Sequence, residues 1–256
     1  MMKIRVAPSD FVSAGKEKQL KKKIEVPEEA APLVKELARK YELDFEAVAV
    51  GGDILYFLHL ADISPLVAGR DIFANAAEFP FWVKIWEASV MMANLMASLR
   101  PVPGARVLEL GAGLAVPGIA AAAHGHDVTV TDYEDYILDF VRVSASVNGC
   151  GARVTCKKLD WLSPESGGIG RFDCIIGSEI LFHEKFFEPL RQVIRTLLAP
   201  GGVVFMAHNV ERKSLAPFLR LCAGEFSISA QKKQMVADKK RFDIVLNRMV
   251  RKTDED

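Results

Sequence analysis

From residue 84 onward, short apolar runs alternate with longer stretches in which apolar side chains recur every three or four positions. The runs at 107–110, 127–131, 153–159, 172–178 and 203–207 are rich in Val, Ile and Leu, and their length and flanking turns predict strands of a parallel sheet. Between them, residues 84–99 place Trp86, Val90, Ala93 and Ala97 at helical spacing, and residues 134–147 do the same with Ile137, Val141 and Ala145. Residues 186–198 and 214–224 predict two further helices, and 226–230 with 242–249 a closing antiparallel pair. Strand and helix in alternation imply an α/β fold.

The first 75 residues break that rhythm. Pro27, Glu28 and Glu29 suit the first turn of a helix whose apolar face carries Leu33, Leu37 and Tyr41. Apolar residues at 47–50 and 54–58 flank Gly51-Gly52-Asp53, a β-hairpin signal. Residues 1–75 are therefore expected to form a small α+β appendage and residues 76–256 the main domain.

Composition narrows the partners. The 256 residues hold 33 Lys plus Arg against 33 Asp plus Glu, so no bulk field favours nucleic acid, although a local patch stays open. The basic run at 16–23 is expected to be a solvated arm. Cys150, Cys156, Cys174 and Cys222 lack Cys-x-x-Cys spacing and read as core thiols, two of them in strands, in a reducing compartment; neither zinc nor disulfides are expected. With no leader and no apolar run of membrane length, the expectation is a cytoplasmic protein without membrane contact.

The candidate chemistry gathers at the strand ends. Strand 107–110 runs into Gly111-Ala112-Gly113 and then a helix, so glycines sit where the chain bends and a ligand can approach both backbone and helix N-terminus. Nineteen residues past Gly113, Asp132 closes the next strand at the spacing from which a carboxylate reaches ribose hydroxyls. A dinucleotide fingerprint wants Gly or Ala where Val116 stands. Glu109, two residues before the first glycine, fits instead S-adenosylmethionine (SAM), which carries a sulfonium and an ammonium and no pyrophosphate. The bland alternative is a turn that only joins strand to helix. Asp160-Trp161, an acid and a flat indole closing the third strand, suit an adenine amino group and face, or else a turn beside a packing ring. Trp82 and Trp86 are core aromatics or, for Trp86, a wall of the cofactor pocket. Glu179, past the fourth strand, opens the active-site loop.

Together, residues 107–113, Asp132, Asp160-Trp161 and residues 172–182 resemble the seven-β-strand SAM-dependent methyltransferases. The helix around Trp86 and the segment from Ser178 to Phe182 are similar to family 16 of that group, whose members include protein lysine methyltransferases; the resemblance covers residues 79–250. It implies a Rossmann-like, seven-stranded, mostly parallel sheet with helices on both faces, and an N-terminal appendage packed near the acceptor mouth. It also implies that Glu109, Gly111, Ala112 and Gly113 line the methionine part of SAM, that Asp132 holds the ribose, and that Asp160 and Trp161 meet the adenine. Trp86 would close the pocket, with Ser178 also beside the cofactor. Glu179 and Phe182 match the acidic and aromatic positions of the Asp/Glu-x-x-Phe/Tyr tetrapeptide at the methyl-acceptor site, where Asp and Tyr are commoner.

The reaction the resemblance implies is methyl transfer from SAM to an amine, leaving S-adenosylhomocysteine, with a protein lysine as the leading acceptor. Glu179 would accept a hydrogen bond from that amine, while Phe182 or a tryptophan would hold a cationic group by its ring face. No metal is expected. The nearest alternative is a small-molecule N-methyltransferase sealed by residues 1–75; a nicotinamide-dependent oxidoreductase and a catalytically silent SAM-binding module stand further off.

Overall fold

The computed structural model describes residues 3–4, 6–7, 24–67, 80–163, 168–237 and 239–253; the basic run 16–23 and the expected boundary between residues 75 and 76 lie outside them. The N-terminal part comprises β1 (Lys3–Ile4), β2 (Val6–Ala7), β3 (Ile24–Glu25), α1 (Ala31–Leu37), β4 (Leu43–Val50), β5 (Asp53–Leu60) and α2 (Ser64–Val67). Then follow α3 (Glu87–Ser98), β6 (Arg106–Leu110), α4 (Val116–Ala123), β7 (Asp127–Asp132), α5 (Asp135–Val147), β8 (Val154–Lys158) and β9 (Phe172–Ser178). The chain closes with α6 (Phe187–Leu197), β10 (Leu198–Asn209), α7 (Leu215–Cys222), β11 (Phe226–Ala237) and β12 (Lys240–Arg251).

Seven strands form one sheet in the order β11-β12-β10-β9-β6-β7-β8, with every neighbouring pair parallel from β10 to β8 and β12 reversed. Helices α3, α4 and α5 bury their apolar faces on one side, and α6 and α7 on the other. This is the α/β arrangement expected. The chain leaves β6 for β7 on one flank and reaches β9 on the other, so the strand order reverses at β6 and a crevice opens beyond its carboxyl end.

The hairpin forms as its glycines require, with Gly51 at φ 61° and Gly52 at φ 99°. It packs along the helices: Phe45, Val48 and Phe57 share one buried cluster with Met92, Ile119 and Phe140. The outer edge of β5 is satisfied by side chains of α5 and of Asn148, which caps the C-terminus of that helix. Asn148 accepts from the Tyr56 N–H at 2.9 Å and donates to its carbonyl at 2.7 Å, and the Ser144 hydroxyl accepts from the Leu58 N–H at 2.9 Å. The closed end of the hairpin rests by Asn94 and by His124, which ends α4 away from the glycine turn. The hairpin thus flanks the helices with its tip pointing away from the strand carboxyl ends, and only its open end, at Leu43 and Leu60, points toward them.

Several boundaries differ from the sequence reading, among them the starts of β4 and β10, at Leu43 and Leu198 against the expected residues 47 and 203. Helix α1 starts at Ala31, because residues 27–30 close a turn through Ala30 N–H to the Pro27 carbonyl and Pro32 takes the first helical turn. Helix α3 starts at Glu87; Trp86 stays extended (φ −93°, ψ 144°), its indole N–H held by the Phe81 carbonyl at 2.8 Å, so Trp82 and Trp86 do not share a helix. Strands β11 and β12 run in continuous register over twelve pairs, longer than their apolar cores suggest. The strand cysteines Cys156 and Cys174 are only half-buried, whereas Cys150 and Cys222, outside the strands, are buried.

Candidate active site

Beyond β6 the chain turns at Gly111, which takes φ 57° and lies so close to Ile180 and Trp161 that a Cβ would sit 3.0 Å from both side chains. Glycine is the residue that meets both demands. The Ala112 N–H donates to the Thr131 carbonyl at 3.0 Å and the Gly113 N–H to Asp132 Oδ2 at 2.8 Å, which ties the turn to the end of β7. Asp132, 9% exposed, also accepts from the Tyr133 N–H through Oδ1. Burial raises its pKa, against the backbone amides of Gly113, Tyr133 and Glu134, which lower it. Acceptor capacity remains on the carboxylate for a further donor, which suits a ligand hydroxyl.

Glu109 lies beneath this turn, 2% exposed. Its Oε2 accepts from the Gly118 N–H at 2.8 Å, so it orders the first turn of α4, and a side chain at Gly118 would collide with it. Burial pushes its carboxyl up to about 8, which keeps it mostly protonated at neutral pH. Glu109 therefore supports the turn from below and presents little negative charge to a ligand.

Around the crevice stand Asp160, whose Oδ1 accepts from the Leu162 N–H, and Trp161, buried between Gly111 and Phe186. The Ser178 hydroxyl, ending β9, is buried without a hydrogen-bond partner among the described residues. An orphaned donor of this kind at a strand end is what a bound polar ligand would satisfy. Trp82 backs Gly113 and packs on Tyr136 and Phe140, so it is a core aromatic. Trp86 instead begins a row of rings: Trp86 to Phe81 at 6.0 Å, Phe81 to Phe182 at 6.1 Å and Phe182 to Phe186 at 5.1 Å. Phe182 is 43% exposed in the middle of the row. Two of the chain's own ammonium groups already sit on these rings, Lys84 at 4.7 Å from Trp86 and Lys185 at 4.9 Å from Phe186.

Glu179 adopts φ 56°, uncommon for a residue with a Cβ, and strain of this kind concentrates at functional sites. Its carboxylate is not free. Oε1 accepts from the Asn209 N–H at 2.6 Å, and Oε2 from Nε and Nη2 of Arg212 at 2.9 and 2.5 Å, so Glu179 ties the end of β9 to the end of β10. Three of roughly four lone-pair positions are taken, which leaves one on Oε1 for an acceptor. Sequence reasoning missed Asn209 and Arg212, because nothing local links a residue after β10 to one after β9. Phe81 and Phe186 were also missed, though Phe186 stands four residues after Phe182, a spacing that could have drawn attention to it.

With this geometry in place, comparison with known proteins becomes informative. Residues 76–224 match the sequence family described as lysine methyltransferase. The chain belongs to that family. Over 150 residues the methyltransferase is 29% identical to protein N-lysine methyltransferase METTL21A of Mus musculus, a match covering 57% of this chain and 68% of that protein. It is 30% identical over 151 residues to EEF1A lysine methyltransferase 3 of Mus musculus, covering 57% and 64%. Its fold is similar to that of precorrin-6y C5,15-methyltransferase from Geobacter metallireducens GS-15, with TM-score 0.53, 12% identity, and 68% of this chain and 92% of that one covered.

Proposed function

We propose that this methyltransferase transfers a methyl group from SAM to the side-chain amine of a protein lysine. The observation that carries the acceptor assignment is the ring row from Trp86 to Phe186, part-buried and open at Phe182, on which two lysine ammonium groups already stack. Aromatic faces attract ammonium groups by their quadrupole. The match to lysine methyltransferases supports the same reading.

SAM would lie over the Gly111–Gly113 turn, with Asp132 on the ribose, Asp160 and Trp161 toward the adenine, and the orphaned Ser178 hydroxyl and Trp86 at its side. The cofactor supplies a methyl group already activated by its sulfonium, so the protein has to align the nucleophile and exclude water. Phe182 and its neighbours guide the lysine stem and head. Glu179, clamped by Asn209 and Arg212, offers one Oε1 lone pair to an N–H of the amine and so orients it. In this reading residues 1–75 are an accessory unit on a methyltransferase domain of residues 76–256. The four free thiols favour a reducing compartment such as the cytoplasm.

Incubation with methyl-labelled SAM and a protein extract of the host, followed by amino-acid analysis of the labelled protein, tests the assignment. Label on methylated lysine that falls sharply with Phe182→Ala supports it; label confined to small molecules overturns it.

A further inference from the structure

Strand β11 ends the sheet, and among the described residues no strand covers its outer edge. The edge is long, with twelve register pairs to β12 and neither a bulge nor a proline. Such an edge presents a row of main-chain N–H and C=O groups ready to pair with another strand. It is blunted by charge alone. Residues 231–252 carry eight Lys and Arg against two Asp in a chain whose total charge is zero. Lys232 is neutralised by Asp243 at 2.7 Å, whereas Lys233, Lys239, Lys240 and Arg241 are exposed, and among the described residues no ion pair reaches Lys233 or Lys240.

The position of this patch is informative. The β10 ladder ends at Asn209 opposite Ile244, with one further bond from the Val210 N–H to the Asp243 carbonyl, so residues 240–242 and their partners 235–237 run on past it, by about 10 Å at the strand rise. They project on the carboxyl side of the sheet, where Glu179 and Phe182 stand. Three strand spacings, about 14 Å, separate β11 from β9, a gap that four or five extended residues cross.

We propose that β11 is a docking edge for an extended, acidic protein segment, which adds a strand to the sheet and lies beside the acceptor mouth. Positive charge repels a second copy of this edge and attracts an acidic strand. Nucleic acid phosphates can accept from the free N–H groups but offer no donors to the C=O groups between them, so they cannot extend the ladder. The proposal concerns binding and stands apart from the acceptor assignment, so its test needs no methyl transfer.

The full chain is titrated, by fluorescence anisotropy, into a labelled twelve-residue peptide alternating Glu and Thr. Comparison ligands are the same peptide N-methylated on alternate backbone amides, a Lys/Thr counterpart, and a single-stranded oligonucleotide of equal charge. The Glu/Thr peptide is expected to bind, and to lose at least tenfold in affinity when N-methylated or when the protein carries Lys233→Glu, Lys240→Glu and Arg241→Glu. Lys35→Glu on α1 with Arg39→Glu in the turn after it leaves binding unchanged, and the Lys/Thr peptide does not bind. Absence of binding, indifference to N-methylation in the unmodified protein, or tighter binding of the oligonucleotide overturns the proposal. N-methylation tests main-chain pairing even if the triple variant fails to fold.

Discussion

Burial holds Glu109 protonated up to about pH 8 and His208 neutral down to about pH 3, so protons act on the two groups in opposite directions. Glu109, raised from 4.5, contributes stability that is complete below pH 4.5 and is lost as pH rises to about 8. His208, lowered from 6.5 and with neither ring nitrogen hydrogen-bonded, contributes stability that is complete above pH 6.5 and is lost as pH falls to about 3. Between pH 4.5 and 6.5 the two slopes cancel. Urea unfolding should show Glu109→Gln gaining about 2 kcal/mol relative to the parent between pH 6.5 and 8. His208→Leu should gain about 2 kcal/mol between pH 6.5 and 5. Differences that stay constant with pH would show that these groups titrate alike in folded and unfolded chains. Asp132→Ala removes a proposed ribose acceptor and should weaken SAM binding by about 0.5–1.5 kcal/mol in calorimetry. At the acceptor side, Glu179→Ala should keep SAM affinity within a few-fold while turnover on a protein acceptor falls at least tenfold, and Arg212→Lys should fall less than Arg212→Ala. Normal turnover in Glu179→Ala would reduce the clamp to a strand-end tie. The positions of Asp132 at the end of β7 and of Asp160 just past the end of β8 were legible because they follow directly from the strands that precede them in the chain. The clamp was not, because Arg212 reaches Glu179 across two strand ends.

At the scale of elements, apolar runs, helical spacing and the glycine turn located α3 to α7 and β6 to β12, while strand ends were misjudged and one error falls where a side chain overrides the local pattern. Trp86 fits a helical face by spacing, yet its indole N–H bond to Phe81 holds it in extended backbone ahead of α3, among the mouth aromatics. Asn148 is legible as a helix stop, but its larger role is to satisfy both main-chain groups of Tyr56. Asn148→Ala leaves those part-buried groups beside an apolar methyl and should destabilise the chain by about 1–2 kcal/mol in urea unfolding. A loss below about 0.5 kcal/mol would mean that water replaces the amide.

For the whole molecule, alternation of strand and helix made the sheet readable, because each βα unit is written in contiguous sequence. The seat of the hairpin is set by contacts 86 and 92 residues apart, which no local pattern records. That seat has a consequence for how the molecule opens. A hairpin held only by apolar contact could detach while the sheet stayed intact, but here the amide protons of Tyr56 and Leu58 are captured by Asn148, which caps α5, and by Ser144 within it. Native-state deuterium exchange should therefore give those two amides the same opening free energy as the core of α5. The N-terminal hairpin and the central helix then unfold as a single foldon.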